Sequence, residues 1–261
     1  MTNSSVDVPE VAESGPRPRW GRRAAIVFAI VLVAVGVKFL LHLLLPRNFA
    51  GSGVPLPLTL ASGPFQTLYY CGPTAPRGVV IFGTGDGGWS YWEERVAKHL
   101  AERGYAVGGW DCRKFADTRS FDQAELIAGF RAAVGAVTDR SRSGDVPVWF
   151  AGWSTGAEQA VAAAATPDRP ERLAGLLVAA PGTRGRFGIT TSDLLGVLPE
   201  GPGSFAMTDM ARELGDVPVV QFAAGLDPLD DVDWIASVPG PHRVFVLEAT
   251  LHDMGLSLIH I

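Results

Sequence analysis

Gly152-Trp153-Ser154-Thr155-Gly156 is a G-x-S-x-G pentapeptide. It directly follows an apolar run, Val146 to Ala151, and directly precedes an Ala-rich stretch. A serine nucleophile needs a strand, a sharp turn and a helix in that order. Small residues on either side let strand and helix approach without clash. The Ser154 hydroxyl is then left exposed at the C-terminal edge of a sheet. The chemistry this predicts is attack of Ser154 Oγ on a carbonyl. It requires a base, a group that orients the base, and donors for the developing oxyanion.

The chain has five histidines. His42 lies in an apolar N-terminal segment, His99 inside the first helix of the domain, and His260 in the terminal tail. His242 stands at the entrance of the last strand, the wrong end. His252, in Ala249-Thr250-Leu251-His252-Asp253, follows the last strand and so shares an edge with Ser154. Elimination and topology both select it as general base, against the alternative of a surface loop histidine. Gly225-Leu226-Asp227-Pro228-Leu229-Asp230 follows the preceding strand at that same edge. Asp227 is the first choice for the orienting acid and Asp230 the second. An aspartate in a Gly-Pro turn can equally be turn chemistry. The oxyanion donors are expected from the backbone N–H of Thr155 and from Asp86 or Gly87 in the loop Gly83-Thr84-Gly85-Asp86-Gly87-Gly88-Trp89. That loop lacks a GK[ST] ending and does not fit G-x-G-x-x-G, which argues against a phosphate cradle. Asp86, Trp89, Trp153 and Glu158 are candidate substrate-binding residues. No cofactor is required, and the absence of CxxC and HExxH leaves a metal site without sequence support.

The elements that position these residues alternate. Strands are expected over Leu56–Leu60, Gln66–Tyr70, Gly78–Gly83, Tyr105–Trp110, Val146–Ala151, Leu173–Ala180, Val217–Ala223 and Arg243–Glu248. A helix begins at Ser90, where Ser90-x-x-Glu93 reads as a capping box, with Trp92, Val96 and Leu100 on one face. Phe121–Val137 reads as a second helix, with Ala124, Ile127, Ala128 and Ala132 near one stripe. Thr155–Ala165 is the helix after the serine. Strands alternating with helices predict an α/β fold, a mostly parallel sheet covered on both faces. Gly182–Leu214 breaks the rhythm and reads as an insertion over the sheet's C-terminal edge, with a short apolar turn at Leu194 and Leu195. It is expected to line a substrate pocket.

The 261 residues carry a net charge of −5, are 47% hydrophobic and 19% charged, and suggest no nucleic-acid footprint. Residues 1–23 read as a disordered basic tail. Arg17, Arg19, Arg22 and Arg23 flank an apolar stretch over residues 24–45, long enough for a transmembrane signal anchor. The basic flank sets the N-terminus inside and the rest outside the cytoplasmic membrane, in the periplasm. A cleaved signal peptide is the alternative. Residues 46–57 read as a linker and 58–255 as the catalytic domain. Residues 256–261 match one reading frame of a transposon-end sequence and are expected to be artificial. The authentic chain is expected to continue past Gly255 into a helix that covers the sheet. Two cysteines, Cys71 and Cys112, could pair outside the cytoplasm or simply be buried thiols.

Gly85-Asp86-Gly87-Gly88-Trp89, Leu100-Ala-Glu-Arg-Gly104, Gly152-Trp-Ser-Thr-Gly156 and the late Gly-x-Asp and His elements resemble the VirJ virulence-protein family, including its lysyl-phosphatidylglycerol hydrolase members. The resemblance covers roughly Val79 to Gly255. It implies an α/β-hydrolase fold, a location outside the cytoplasmic membrane, and hydrolysis of an aminoacylated phospholipid by Ser154, Asp227 and His252. Glu158 stands close to where that family has an aspartate. A lysyl ester carries a cation beside its scissile carbonyl, which Asp86 and Glu158 could face. The alternatives are a non-catalytic binding or secretion-accessory protein on a hydrolase scaffold and a general lipase or esterase. Substrate at a membrane surface is the expected partner, with protein partners unknown.

Overall fold

The computed structural model describes residues 19–44, 49, 51–118, 122–189, 197–252 and 254. It divides into two units, residues 1–42 and 43–261. In the first, α1 spans Arg19–Leu44. The side chains described there, from Ala25 to Val37 and at Leu40, are exposed. Among the described residues no helix is long and apolar enough to cross a membrane. The single span expected over 24–45 is therefore not found. Of the tail expected to be disordered over 1–23, residues 19–23 are instead the first turns of α1, and residues 1–18, like the expected artificial terminus, lie outside the described residues.

The second unit is built on an eight-stranded sheet. In chain order the strands are β1 (Val54–Leu60), β2 (Gly63–Tyr70), β3 (Val79–Gly83), β4 (Ala106–Trp110), β5 (Val148–Trp153), β6 (Leu173–Ala179), β9 (Val219–Ala224) and β10 (His242–Leu247). Across the sheet they run β1-β2-β4-β3-β5-β6-β9-β10. β1 and β2 form an antiparallel hairpin, β2 is antiparallel to β4, and every later pairing is parallel. β3 and β4 are buried at every position, as strands covered on both faces must be. Phe115, Phe130 and Phe150 gather around Trp110 and fill one face. Trp89, Tyr70 and Phe82 fill the other. Each expected strand is found, with ends shifted by three residues or fewer.

The helices are α2 (Tyr91–Glu102), α3 (Cys112–Thr118), α4 (Gln123–Ser141), α5 (Thr155–Ala164) and α6 (Met207–Arg212). The capping box at Ser90 and Glu93 is present. The buried faces of two helices differ from expectation. α2 buries Glu93, Glu94, Ala97 and Ala101, leaving Trp92 exposed, because Glu94 is drawn inward by polar partners. α4 buries Leu126, Gly129, Phe130, Ala133, Val134 and Val137 rather than the alanine stripe, because its larger apolar groups cover the sheet. α5 is buried from Gly156 to Ala164 on all sides, which its alanines permit. The stretch expected to be an insertion carries a small antiparallel hairpin, β7 (Arg184–Arg186) with β8 (Ser204–Ala206), and then α6. The apolar turn at Leu194 and Leu195 lies outside the described residues. Cys71 and Cys112 are free thiols. Cys112 is fully buried, and burial pushes its thiol up.

Candidate active site

β5 ends at Trp153 and α5 begins at Thr155, so Ser154 alone turns the chain. Its φ of 52° and ψ of −126° lie where L-residues rarely go, a conformation costing about 1–3 kcal/mol. Close packing on both sides maintains it. A Cβ on Gly152 would come within 2.2 Å of the Gly156 carbonyl, and one on Gly156 within 2.3 Å of the Gly83 backbone. The two glycines therefore let α5 lie against β5 and β3. The Ser154 N–H donates to the Ala179 carbonyl at 2.9 Å, pinning the turn to the end of β6.

Two loops at the same edge meet this serine. After β9 the chain turns at Ala224–Asp227, closed by the Asp227 N–H on the Ala224 carbonyl at 3.0 Å. After β10 it turns at Leu247–Thr250, closed at 3.2 Å. The Leu226 N–H donates to the Thr250 carbonyl at 2.9 Å and ties the loops together. This brings His252 Nε2 to 2.8 Å from Ser154 Oγ, and His252 Nδ1 to 2.5 Å from Asp227 Oδ2. The Asp227 side chain is 2% exposed and that of His252 is 35% exposed. The other Asp227 oxygen accepts the Leu229 N–H at 2.9 Å. A buried carboxylate on one imidazole nitrogen and a hydroxyl on the other can activate that hydroxyl as a nucleophile.

Asp230, the second choice for the acid, is elsewhere. Its carboxylate accepts the Ala224 N–H at 2.5 Å and Gln221 Nε2–H at 3.1 Å. Burial pushes its carboxyl up to about 6.

The loop Gly83–Trp89 lies beside the turn. Gly83 touches Gly156, and Gly85 sits against the Trp153 ring. The Gly88 N–H donates to the Gly85 carbonyl at 3.1 Å, leaving Asp86 and Gly87 half-buried at the tip. Thr155 is half-buried at the first position of α5, where backbone N–H groups have no intrahelical acceptor. Two expectations are corrected. Trp89 is fully buried, stacked on Tyr70 with its Nε1–H toward Glu94, and belongs to the core rather than to a substrate pocket. Glu158 is also buried, and its carboxylate accepts the Gly182 N–H at 3.1 Å, so it holds the chain leaving β6 instead of facing a ligand. Trp153 is half-buried beside His252.

Sequence reasoning missed the groups that hold the loop. Asp111 accepts the Trp89 N–H at 3.3 Å, and Thr84 Oγ1 accepts the Cys112 N–H at 3.1 Å. The signal for Asp111 was an acid directly after a strand and before a helix. Thr84 carried none. A surface hollow of about 330 Å³, lined by Pro167, Arg169, Asp216 and Pro218, lies at the opposite edge of the strands, away from this site.

The chain is a serine hydrolase of the α/β-hydrolase fold. The sequence model of a family described as serine aminopeptidase, S33, matches residues 74–202 of this hydrolase. No curated protein sequence matches it. Among solved structures, it is similar to a thermostable carboxyl esterase from Bacillus coagulans at 15% identity. That likeness covers 78% of this chain and 94% of that one, with a TM-score of 0.60. A soluble variant of monoglyceride lipase from Saccharomyces cerevisiae is 14% identical over 80% of this chain and 92% of that one, with a TM-score of 0.55. The esterase domain of a Rhodothermus marinus protein is 14% identical over 76% and 89%, with a TM-score of 0.53.

Proposed function

We propose that this serine hydrolase cleaves carboxylic esters through Ser154, His252 and Asp227. The observation that carries the reading is the hydrogen-bonded row from Asp227 Oδ2 through the imidazole to Ser154 Oγ, at 2.5 and 2.8 Å. Ser154 Oγ attacks the ester carbonyl as His252 Nε2 takes its proton. Asp227 keeps the second proton on Nδ1 and stabilises the imidazolium. The N–H groups of Thr155 and of Asp86 or Gly87 receive the oxyanion. His252 returns the proton to the leaving alcohol, and water then cleaves the acyl-enzyme by the same steps in reverse.

The substrate proposed is an aminoacylated phospholipid such as lysyl-phosphatidylglycerol. It is supported by the resemblance in the G-D-G-G-W and G-W-S-T-G strings and by the exposed side chains of Leu226, Leu229 and Leu251 around the acid and base. Half-buried Asp86 remains the candidate for facing the ammonium group. The likeness to a lipase and to esterases supports the ester class and leaves a neutral acyl ester as the competing substrate. On the same reading the domain works outside the cytoplasmic membrane, supported by Arg17, Arg19, Arg22 and Arg23 ahead of an apolar stretch. An alkaline phosphatase fusion after residue 57 that is made but inactive would overturn that location, because its disulfides form only outside the cytoplasm.

The test is a fluorophosphonate probe on the wild type and Ser154→Ala, followed by lysyl-phosphatidylglycerol and a neutral ester. Label that depends on Ser154, with lysine released, is the expected result. Label without lysine release removes the aminoacyl-lipid substrate and leaves the esterase. A folded wild type that takes no label and releases nothing favours the non-catalytic binding protein.

A further inference from the structure

We propose that Trp153 is a positioning residue that clamps the His252 loop to the serine turn; the proposal rests on the serine-hydrolase reading above. The Trp153 Nε1–H donates to the His252 main-chain carbonyl at 2.7 Å. The two rings lie side by side, with centroids 5.6 Å apart and planes tilted by 46°. On its other side the indole packs on Gly85, where a Cβ would approach ring carbon Cζ3 to 2.7 Å. One side chain therefore touches the loop that carries the base and the loop that carries Asp86 and Gly87. It is also bonded in sequence to Ser154.

The arrangement matters because of what the other ties of the base loop connect. Among the described residues, the backbone bonds after β10 ends at Leu247 are Thr250 to Leu247, Leu226 to Thr250, and Met254 to Leu251, beside Gly225 to Leu247 at the strand end itself. The first and third are internal to the loop. The second reaches the Asp227 loop and fixes the acid relative to the base. Among the described residues, only the indole bond runs from the main chain of the base residue to the strand that holds the nucleophile. Trp153 is itself fixed, since it pairs with Ala179 in the sheet. The 2.8 Å contact between His252 Nε2 and Ser154 Oγ is thus closed from behind by a bond from the residue before the serine to the base residue itself. A polar N–H at this position is what the clamp needs; an aromatic ring alone supplies only the packing.

The experiment is Trp153→Phe, which keeps a ring on Gly85 and His252 and removes the N–H. A fluorophosphonate first confirms that Ser154 in the wild type is reactive. A folded wild type that takes no label overturns the hydrolase reading, and this proposal with it. Given a labelled wild type, W153F should lose about 10-fold or more in kcat on a soluble ester, with KM within about 2-fold. Its far-downfield proton signal from His252 Nδ1–H should broaden or vanish. An unchanged kcat and a sharp signal overturn the clamp while the hydrolase reading stands. Should W153F not fold, the wild type answers. The Trp153 indole N–H should exchange slowly with solvent in heteronuclear spectra, and fast exchange overturns the proposal.

Discussion

Asp227 and Asp230 lie in one short loop and meet different partners. Asp227 faces an imidazole, whereas Asp230 faces a backbone N–H and a glutamine amide. Asp227→Asn should lower kcat on the order of 10⁴-fold, because the amide favours the wrong imidazole tautomer. Asp230→Asn should leave most activity and instead change how stability depends on pH. Burial raises the Asp230 carboxyl from 3.8 to about 6 in the folded protein. The folded state therefore holds this proton more tightly than the unfolded chain. The stability it contributes is fully present below 3.8 and is lost as the pH rises through about 6. Asparagine stays neutral throughout. The melting temperature of D230N relative to wild type should rise between pH 4 and pH 8. A constant difference across that range would contradict the assignment.

The nucleophile turn works because two elements approach closer than side chains allow. Gly156→Ala would drive a methyl group into the Gly83 backbone, which cannot swing aside. The expected cost is about 3 kcal/mol or more, or roughly 6–12 °C in Tm for a domain of this size. Gly135 in α4 is the contrasting case, exposed and with nothing within 4 Å of where a methyl group would sit. Gly135→Ala should gain about 0.5–1 kcal/mol from reduced unfolded-state entropy, raising Tm by about 1–4 °C. Thermal melts of both variants separate close approach from propensity. The turn was legible in the sequence because glycine, serine and an apolar run are local signals. The helix faces were not. Alanines at 124, 128 and 132 make a periodic stripe, but Leu126, Phe130 and Val137 bury more apolar area and settle the orientation of α4. The hairpin of β7 and β8 was missed because each strand has only three residues, too few to show a period.

At the scale of the molecule, the alternation of strands and helices announced the parallel sheet, and the chain order Ser…Asp…His followed from it. What stayed hidden were polar contacts between residues far apart in sequence. Glu94 is the clearest. Its buried carboxylate accepts the Ser52 N–H at 2.9 Å and the Ser52 hydroxyl at 2.5 Å. The Tyr70 hydroxyl also donates to it, and Lys98 Nζ lies 2.9 Å away. These bonds fasten residues 51–53 to α2 and β2 where the chain enters the sheet. Burial pushes the Glu94 carboxyl up, but the donors from Ser52, Tyr70 and Lys98 outweigh it and hold it down at about 2. A depressed carboxyl contributes stability that is present above its unfolded value of 4.5 and is lost as the pH falls toward 2. Glu94→Gln should therefore cost about 1–3 kcal/mol at pH 7, where the charge-assisted bonds are intact. The gap between the two melting temperatures should close as the pH falls from 4.5 toward 2. The variant should also be cut more readily by protease near Gly51 and Gly53, because Ser52 loses its charged acceptor. If E94Q melts with the wild type at pH 7 and resists cleavage equally, the first strand is held by its ladder with β2 alone.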